Sequence, residues 1–372
     1  MRPIYIHERE GWPRLRWDEA GLARPLGIVR HAQGRLLGQM EALGVAQREE
    51  ASVRILTEDA LRTSAIEGET LDADQVRSSL ARRMGLATAG LPPPSREVDG
   101  LVEMMLDATR QAGAALTEER LLGWHAALFP VGGSPLVRIT SGAWRTAASG
   151  PMRVVSGAYG HERVHFEAPS HDRVAGEIRG FLDWFNAPLV VDPVIASALA
   201  HFWFVTIHPF EDGNGRIARA IADLQLARAD GTHQRFYSMS AQIQRERTAY
   251  YDVLERSQRG SLDVTAWLEW YLACLQRAIA GSGALLTGVL AEARFWREYQ
   301  AVSFNERQRR MLHWLLAGPE ASLTSSRWAK VTGCSADTAL RDITELLARE
   351  VLVRDATGGR STRYRLRAGS GG

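Results

Sequence analysis

The stretch His208-Pro209-Phe210-Glu211-Asp212-Gly213-Asn214-Gly215-Arg216-Ile217-Ala218-Arg219 joins two strongly helical segments, Pro193 to Ile207 before it and Arg216 to Arg228 after it. Each position in it has a chemical use. Gly213 and Gly215 let the backbone approach an anion closely, and the helix start that follows offers N–H groups without intrahelical acceptors to phosphate oxygens. Arg216 and Arg219 project from one face of that helix, toward whatever is held at its start. Asp212 is an oxygen donor suited to magnesium, which usually takes one or two carboxylates plus substrate phosphates. His208 titrates near neutral pH and can accept the proton of an attacking hydroxyl. A base, a metal ligand and a phosphate clamp in one short string point to transfer of a phosphate-bearing group.

The flanks are mostly helical. From Trp17 to Arg110, Leu22, Leu26, Ile28, Leu36 and Leu37 recur at helical spacing, with a break at Leu91-Pro92-Pro93-Pro94. A second helical body is capped at Thr117-Glu118-Glu119 and runs through Leu121 to Leu128, before Gly132-Gly133-Ser134-Pro135. Two short β-type runs, Met152 to Ser156 and Val164 to Ala168, bracket Gly157-Ala158-Tyr159-Gly160 and predict a hairpin. Helices are expected at Val174 to Asn186, Pro193 to Ile207, Arg216 to Arg228, Arg245 to Arg259 and Val264 to Ala280. Ala284 to Gln300 reads as a separate connecting helix. Three helices then follow, at Asn305 to Leu316, Ser326 to Thr332 and Ser335 to Glu350. Strands Val351 to Arg354 and Arg363 to Arg367 enclose Thr357-Gly358-Gly359-Arg360, and Ala368 to Gly372 is a frayed end. The expected fold class is mainly α, with a β-hairpin. The expected domains are a helical module at 1–112, a catalytic core at 113–281, a connecting helix at 282–303 and a small C-terminal domain at 304–368.

A chain of 372 residues with 45% hydrophobic and 24% charged residues reads as a soluble protein of two or three domains. The opening residues are charged throughout, without the apolar stretch of a secretory signal, so a cytoplasmic location is expected. The longest apolar run, Val194 to Ile207, holds His201 and is too short to span a bilayer, so no membrane partner is expected. Cys274 and Cys334 lack metal-ligand spacing and read as packing residues. A net charge of +2 leaves room for a local phosphate-binding patch.

The 208–219 string resembles the Fic family signature, HxFx(D/E)GNGRxxR, at every defined position. The resemblance implies a Fic-type helical core and a protein adenylyltransferase, using ATP as substrate and Mg2+ as cofactor. His208 would activate a Ser, Thr or Tyr hydroxyl of a target protein to attack the α-phosphate, releasing pyrophosphate. Asp212 would hold magnesium, and Gly213, Asn214, Gly215 and Arg216 would stabilise charge on the α- and β-phosphates. Thr63-Ser64-Ala65-Ile66-Glu67-Gly68 fits the family's inhibitory pattern. There Glu67 would pair with Arg219 and keep it from the γ-phosphate; the alternative is a helix that simply ends at Gly68 with Glu67 in solvent. The segment Arg153 to Pro169 resembles the family's flap, which aligns a target strand, and is otherwise a plain surface hairpin. Tyr250 and Tyr251 lie after the motif, where relatives place adenine contacts, and Tyr250 and Gln258 are the candidate ATP-binding residues there, although aromatic residues on a helix are commonly core. The resemblance also implies self-modification and a homodimer, and the opening IYIHEREGWPRLRWD is similar to a module that accompanies one Fic subgroup.

Phe304 to Arg367 looks like a winged helix, with Ser335 to Leu347 as recognition helix and Arg360, Arg363, Arg365 and Arg367 in the wing. DNA contact and protein contact both remain open, because the same helix carries Asp337, Asp342 and Glu345. Three functional readings follow. One is AMP transfer. The second is a de-AMPylating or bifunctional enzyme in which Glu67 orients a water. The third is a DNA-binding regulator that senses nucleotide. A kinase of the Doc type fits less well, since the second glycine-containing part of the motif is intact.

Overall fold

The computed structural model describes residues 4–86, 91–130, 139–156, 163–317, 323–355 and 362–367. Expectations at Gly132-Gly133-Ser134-Pro135, Gly157-Ala158-Tyr159-Gly160, Thr357-Gly358-Gly359-Arg360 and Ala368 to Gly372 lie outside these residues. The chain divides into two units, Met1–Gly283 and Ala284–Gly372.

The first unit opens with α1 (Glu19–Glu41), α2 (Val45–Ile66), α3 (Ala73–Met84), α4 (Arg96–Arg110) and α5 (Glu118–Leu128). An antiparallel hairpin follows, β1 (Arg153–Ser156) and β2 (Arg163–Glu167). Then come α6 (Val174–Asn186), α7 (Pro193–Ile207), α8 (Asn214–Asp230), α9 (Met239–Arg245), α10 (Arg247–Gln258) and α11 (Thr265–Glu298). Local chemistry sets the helix starts. The side chains of Asp18, Asp72, Ser95 and Thr117 each accept a first-turn N–H, and Asp192 does so beside Pro193 at the first helical position.

Helix α7 is buried on every side from Val194 to Ile207, the pattern of a helix at the centre of a bundle. It packs against α6 and α8, and its large side chains Phe202 and Phe204 are fully enclosed. Burial of each contributes about 1.5–3 kcal/mol. Polar bonds tie α7 to its neighbours: Ser197 Oγ donates to Ala222 O on α8 (2.9 Å), and Trp267 Nε1 on α11 donates to Ala198 O (2.9 Å). The pair α7 and α8 therefore forms a rigid frame, and the 208–219 string makes the reversal between them.

One helix is not expected from the sequence. A separate helix α9 precedes α10; Ser238 accepts from Ala241 N (2.9 Å) and starts it, a cap that the apolar spacing did not disclose. The segment expected as a connecting helix, Ala284 to Gln300, falls up to Glu298 in the later part of α11, a part that begins where the second unit begins, at Ala284.

In the second unit, α12 (Glu306–Ala317), α13 (Ser325–Thr332) and α14 (Ala336–Ala348) precede the antiparallel pair β3 (Leu352–Arg354) and β4 (Tyr364–Leu366). Met311, Leu312, Trp328, Ile343 and Leu346 form its core. Asp342 on α14 turns inward, accepting from Arg307 Nε (2.9 Å) and Asn305 Nδ2 (3.1 Å). Asp337, Leu340, Arg341 and Thr344 lie on the exposed face of that helix. Among the described residues, no single helix is long and apolar enough to cross a membrane.

Candidate active site

Helix α7 ends at His208, which takes the left-handed conformation with φ 51° and ψ 58°. A non-glycine residue there carries about 1–3 kcal/mol of strain. The buried Arg145 offsets it. Its Nε donates to His208 O (2.7 Å), its Nη2 to Pro169 O (2.5 Å) and its own N–H to Pro209 O (2.9 Å). A cation at the carbonyl end of a helix also matches the helix dipole. The His208 ring is half-buried, and Nδ1 donates to Val205 O (3.3 Å), which leaves Nε2 with its lone pair free to act as a base. Burial pushes the His208 pKa down to about 4. The Val205 bond opposes that shift, nearby Arg145 adds to it, and Glu67 and Asp212 also oppose it. The imidazole is therefore neutral at pH 7.

The loop after His208 is held by packing and by one side chain. Phe210 is buried, stacked on His125 at 4.1 Å between centroids and against Trp144 at 4.7 Å. Asn214 brackets it: Oδ1 accepts from Phe210 N (3.0 Å) and Nδ2 donates to Phe210 O (2.9 Å). Gly213 has φ 78°, and a Cβ there would meet Phe129 at 2.9 Å, so both conformation and space call for glycine. The Asp212 side chain remains about half exposed.

Opposite the start of α8, helix α2 ends in a Schellman turn. Gly68, with φ 89°, donates to Ala65 O (3.1 Å), and Glu69 N donates to Ser64 O (3.0 Å). This turn carries two carboxylates to α8. Glu67 Oε1 accepts from Arg219 Nη2 (2.8 Å) and lies over Gly215, where a Cβ would come within 2.3 Å of it. Arg219 is only 3% exposed and also donates from Nε to Thr63 Oγ1 (2.7 Å) and from Nη2 to Thr63 O (2.9 Å). Glu69 Oε2 accepts from Arg216 Nη1 (2.7 Å), whose guanidinium lies over the Phe129 ring at 5.2 Å. Arg216 Nε and Nη2 and Arg219 Nη1 are buried donors without a hydrogen-bond partner among the described residues. Such donors are costly unless an anion meets them.

A cavity of about 500 Å³ opens beside this contact, with Glu67, His208, Gly215, Tyr250 and Gln258 on its walls. Its size suits a nucleotide-like ligand. Of the residues expected from sequence, these five share the cavity, together with Tyr251. Asp212 stands on the loop, Gly213 and Asn214 shape that loop, and Arg216 and Arg219 lie behind the wall. Tyr250 is buried, and its hydroxyl is hydrogen-bonded to His201 Nε2 (2.9 Å). Tyr251 is the more open aromatic, with the Arg247 guanidinium 5.5 Å from its ring. Gln258 Nε2 donates to Thr206 Oγ1 (3.2 Å). Sequence reading missed Arg145, Phe129 and Glu69; the one local signal was a second acid two places after Glu67.

Residues 115–226 match the model of the Fic/DOC family, and residues 5–86 match a domain of unknown function, DUF4172. The chain is 31% identical over 113 residues to the protein adenylyltransferase Fic of Nematostella vectensis, which covers 30% of this chain and 25% of that protein. It is 38% identical over 66 residues to the protein adenylyltransferase fic-1 of Caenorhabditis elegans, covering 17% of this chain and 13% of that protein. The chain thus spans a quarter or less of these relatives' length. A crystal structure of a Fic family protein from Desulfovibrio desulfuricans G20 superposes with a TM-score of 0.57 at 22% identity, covering 97% of this chain and 100% of that one, which shows a shared fold.

Proposed function

We propose that this chain, whose residues 115–226 match the Fic/DOC family model, is a protein adenylyltransferase held in check by Glu67. The observation that carries the proposal is the Glu67 carboxylate on Arg219 and over Gly215, at the donor-rich start of α8 and on the wall of the cavity that holds His208. An anion site is built there, and one of the chain's own carboxylates occupies it. Once Glu67 withdraws, the first turn of α8 and the unpartnered donors of Arg216 and Arg219 can receive a triphosphate. His208 Nε2 takes the proton of the attacking hydroxyl, and the oxygen bonds to the α-phosphorus as pyrophosphate leaves. The half-exposed carboxylate of Asp212 would hold a magnesium ion. Among the described residues no group of three or more His, Cys, Asp or Glu could hold a metal ion, so an ion at Asp212 would draw its other ligands from the nucleotide and water. When bound, the ion would neutralise charge on the leaving pyrophosphate.

Transfer of label from α-labelled ATP to proteins of a cell extract, with magnesium present, tests this. Glu67→Gly should label acceptors and Glu67→Gly combined with His208→Ala should not. Nucleotide binding with no transfer by any variant would sink the proposal. The DNA-regulator reading has less support: Arg365 is spent on Asp355 (3.0 Å) and Arg367 on Glu350.

A further inference from the structure

The hairpin carries a hydrogen-bonded chain of nucleophile, base and carboxylate that the reaction above does not use. Val154 pairs with Phe166 and Val155 with Val164, so His165 has no partner across β1 and is the extra residue of a bulge. Bulges re-aim side chains, and this one points the His165 ring between Ser156 and α10. Ser156 Oγ lies 2.6 Å from His165 Nε2, and His165 Nδ1 lies 2.5 Å from Glu255 Oε2. Glu255 is fixed through its other oxygen, Oε1, by Arg163 (3.0 Å) and Arg259 (2.9 Å). Burial, the largest single effect, pushes its carboxyl up, but the bonds from His165 and Arg163 and the Arg259 charge together hold it below the usual carboxylate range. The anionic Glu255 selects the tautomer with hydrogen on Nδ1, so Nε2 accepts from the serine. A hydroxyl bonded to an imidazole that is oriented by a carboxylate is the arrangement of an activated oxygen nucleophile. Ser156, His165 and Glu255 all line the same cavity as His208 and Gly215.

We propose that Ser156 is a self-modification site, at which its hydroxyl accepts a nucleoside monophosphate from a nucleoside triphosphate bound in this cavity, with His165 as its local base. The proposal rests on the transferase reading above. Ser156 Oγ bonds to the α-phosphorus while the bond from that phosphorus to the oxygen bridging to the β-phosphate breaks. Pyrophosphate leaves with the electron pair. The serine proton passes to His165 Nε2, giving an imidazolium paired with Glu255.

The test uses the full chain carrying Glu67→Gly, incubated with ATP, magnesium and extract proteins, and maps AMP-bearing peptides of the chain by mass spectrometry. AMP is expected on Ser156. Ser156→Ala should remove that label, Ser156→Thr should retain a label at the same position, and His165→Gln should slow self-incorporation about a hundredfold, the contribution of a general base. Self-incorporation that continues undiminished in Ser156→Ala or His165→Gln overturns the proposal. Label on extract proteins with none on Ser156 of the Glu67→Gly chain overturns it while leaving the transferase reading standing. Label on neither defeats both.

Discussion

Removal of the Glu67 carboxylate should make the protein faster and less stable at once, and both changes follow from one contact. Glu67→Gly deletes the 2.8 Å bond to Arg219, a residue 3% exposed, whereas the Glu67 side chain keeps 28% of its exposure. A hydrogen bond to a charged group contributes about 1.5–3 kcal/mol. Partial solvent screening of Glu67 argues for about 2 kcal/mol. Arg219 is not stranded in the variant, because Thr63 still accepts two of its bonds, so the loss should not exceed that figure. For a unit of this size, about 2 kcal/mol lowers Tm by roughly 4–8 °C. The same free energy no longer has to be overcome to free Arg219, which corresponds to roughly a thirtyfold rise in transfer. Differential scanning fluorimetry and α-labelled ATP incorporation on the same preparation measure the two quantities. A variant that loses stability yet transfers no faster than wild type refutes the inhibitory role and leaves Glu67 as a structural ion pair.

In the Glu67→Gly background, His208→Ala should lower transfer about 10²–10⁴-fold while nucleotide affinity, followed by calorimetry, changes little. Burial holds His125 and His208 at about 4 and His201 at about 3, all below the ordinary histidine value, so the unfolded chain binds more protons between those values and about 6.5. Their stabilisation is complete above pH 6.5 and falls by about 2 kcal/mol for each by pH 5, so Tm should drop across that window; a level Tm would contradict the buried neutral state. Asp59, Asp223 and Asp230 gather around the single guanidinium of Arg235, and burial together with the nearby Asp59 charge raises Asp223 to about 7. A raised carboxyl lends stability at low pH that is lost as pH climbs through 7, so Asp223→Asn should raise Tm relative to wild type more at pH 8 than at pH 5; the reverse order would show that Arg235 needs all three charges.

Legibility in the sequence followed the distance over which each interaction reaches. The 208–219 string could be read because its base, glycines and arginines are neighbours in the chain and share one helix start. Helices α7 and α8 were visible from their apolar content, and Gly68 marked the end of α2. Arg145 holds His208 O from 63 residues away, Glu69 reaches Arg216 across 147, and His165 meets Glu255 across 90. No spacing rule reports such pairs.

The same logic explains why Glu67 is more than a helix end. The last turn of α2 carries no basic residue and closes with Glu67 and then Glu69, so negative charge is placed at the carbonyl end of a helix dipole. Local helix chemistry disfavours that choice, and a lysine or arginine would suit the isolated helix better. What offsets it is the partner, for α8 begins with free N–H groups and presents Arg216 and Arg219 at the same place. Alone, that start lacks an anion and α2 has one too many; joined, each satisfies the other. An incoming triphosphate would satisfy α8 at least as well, and α2 would then be left with its unfavourable end in water. On the proposed reading, the mismatch of these two helix termini would set a tethered carboxylate in competition with a diffusing phosphate.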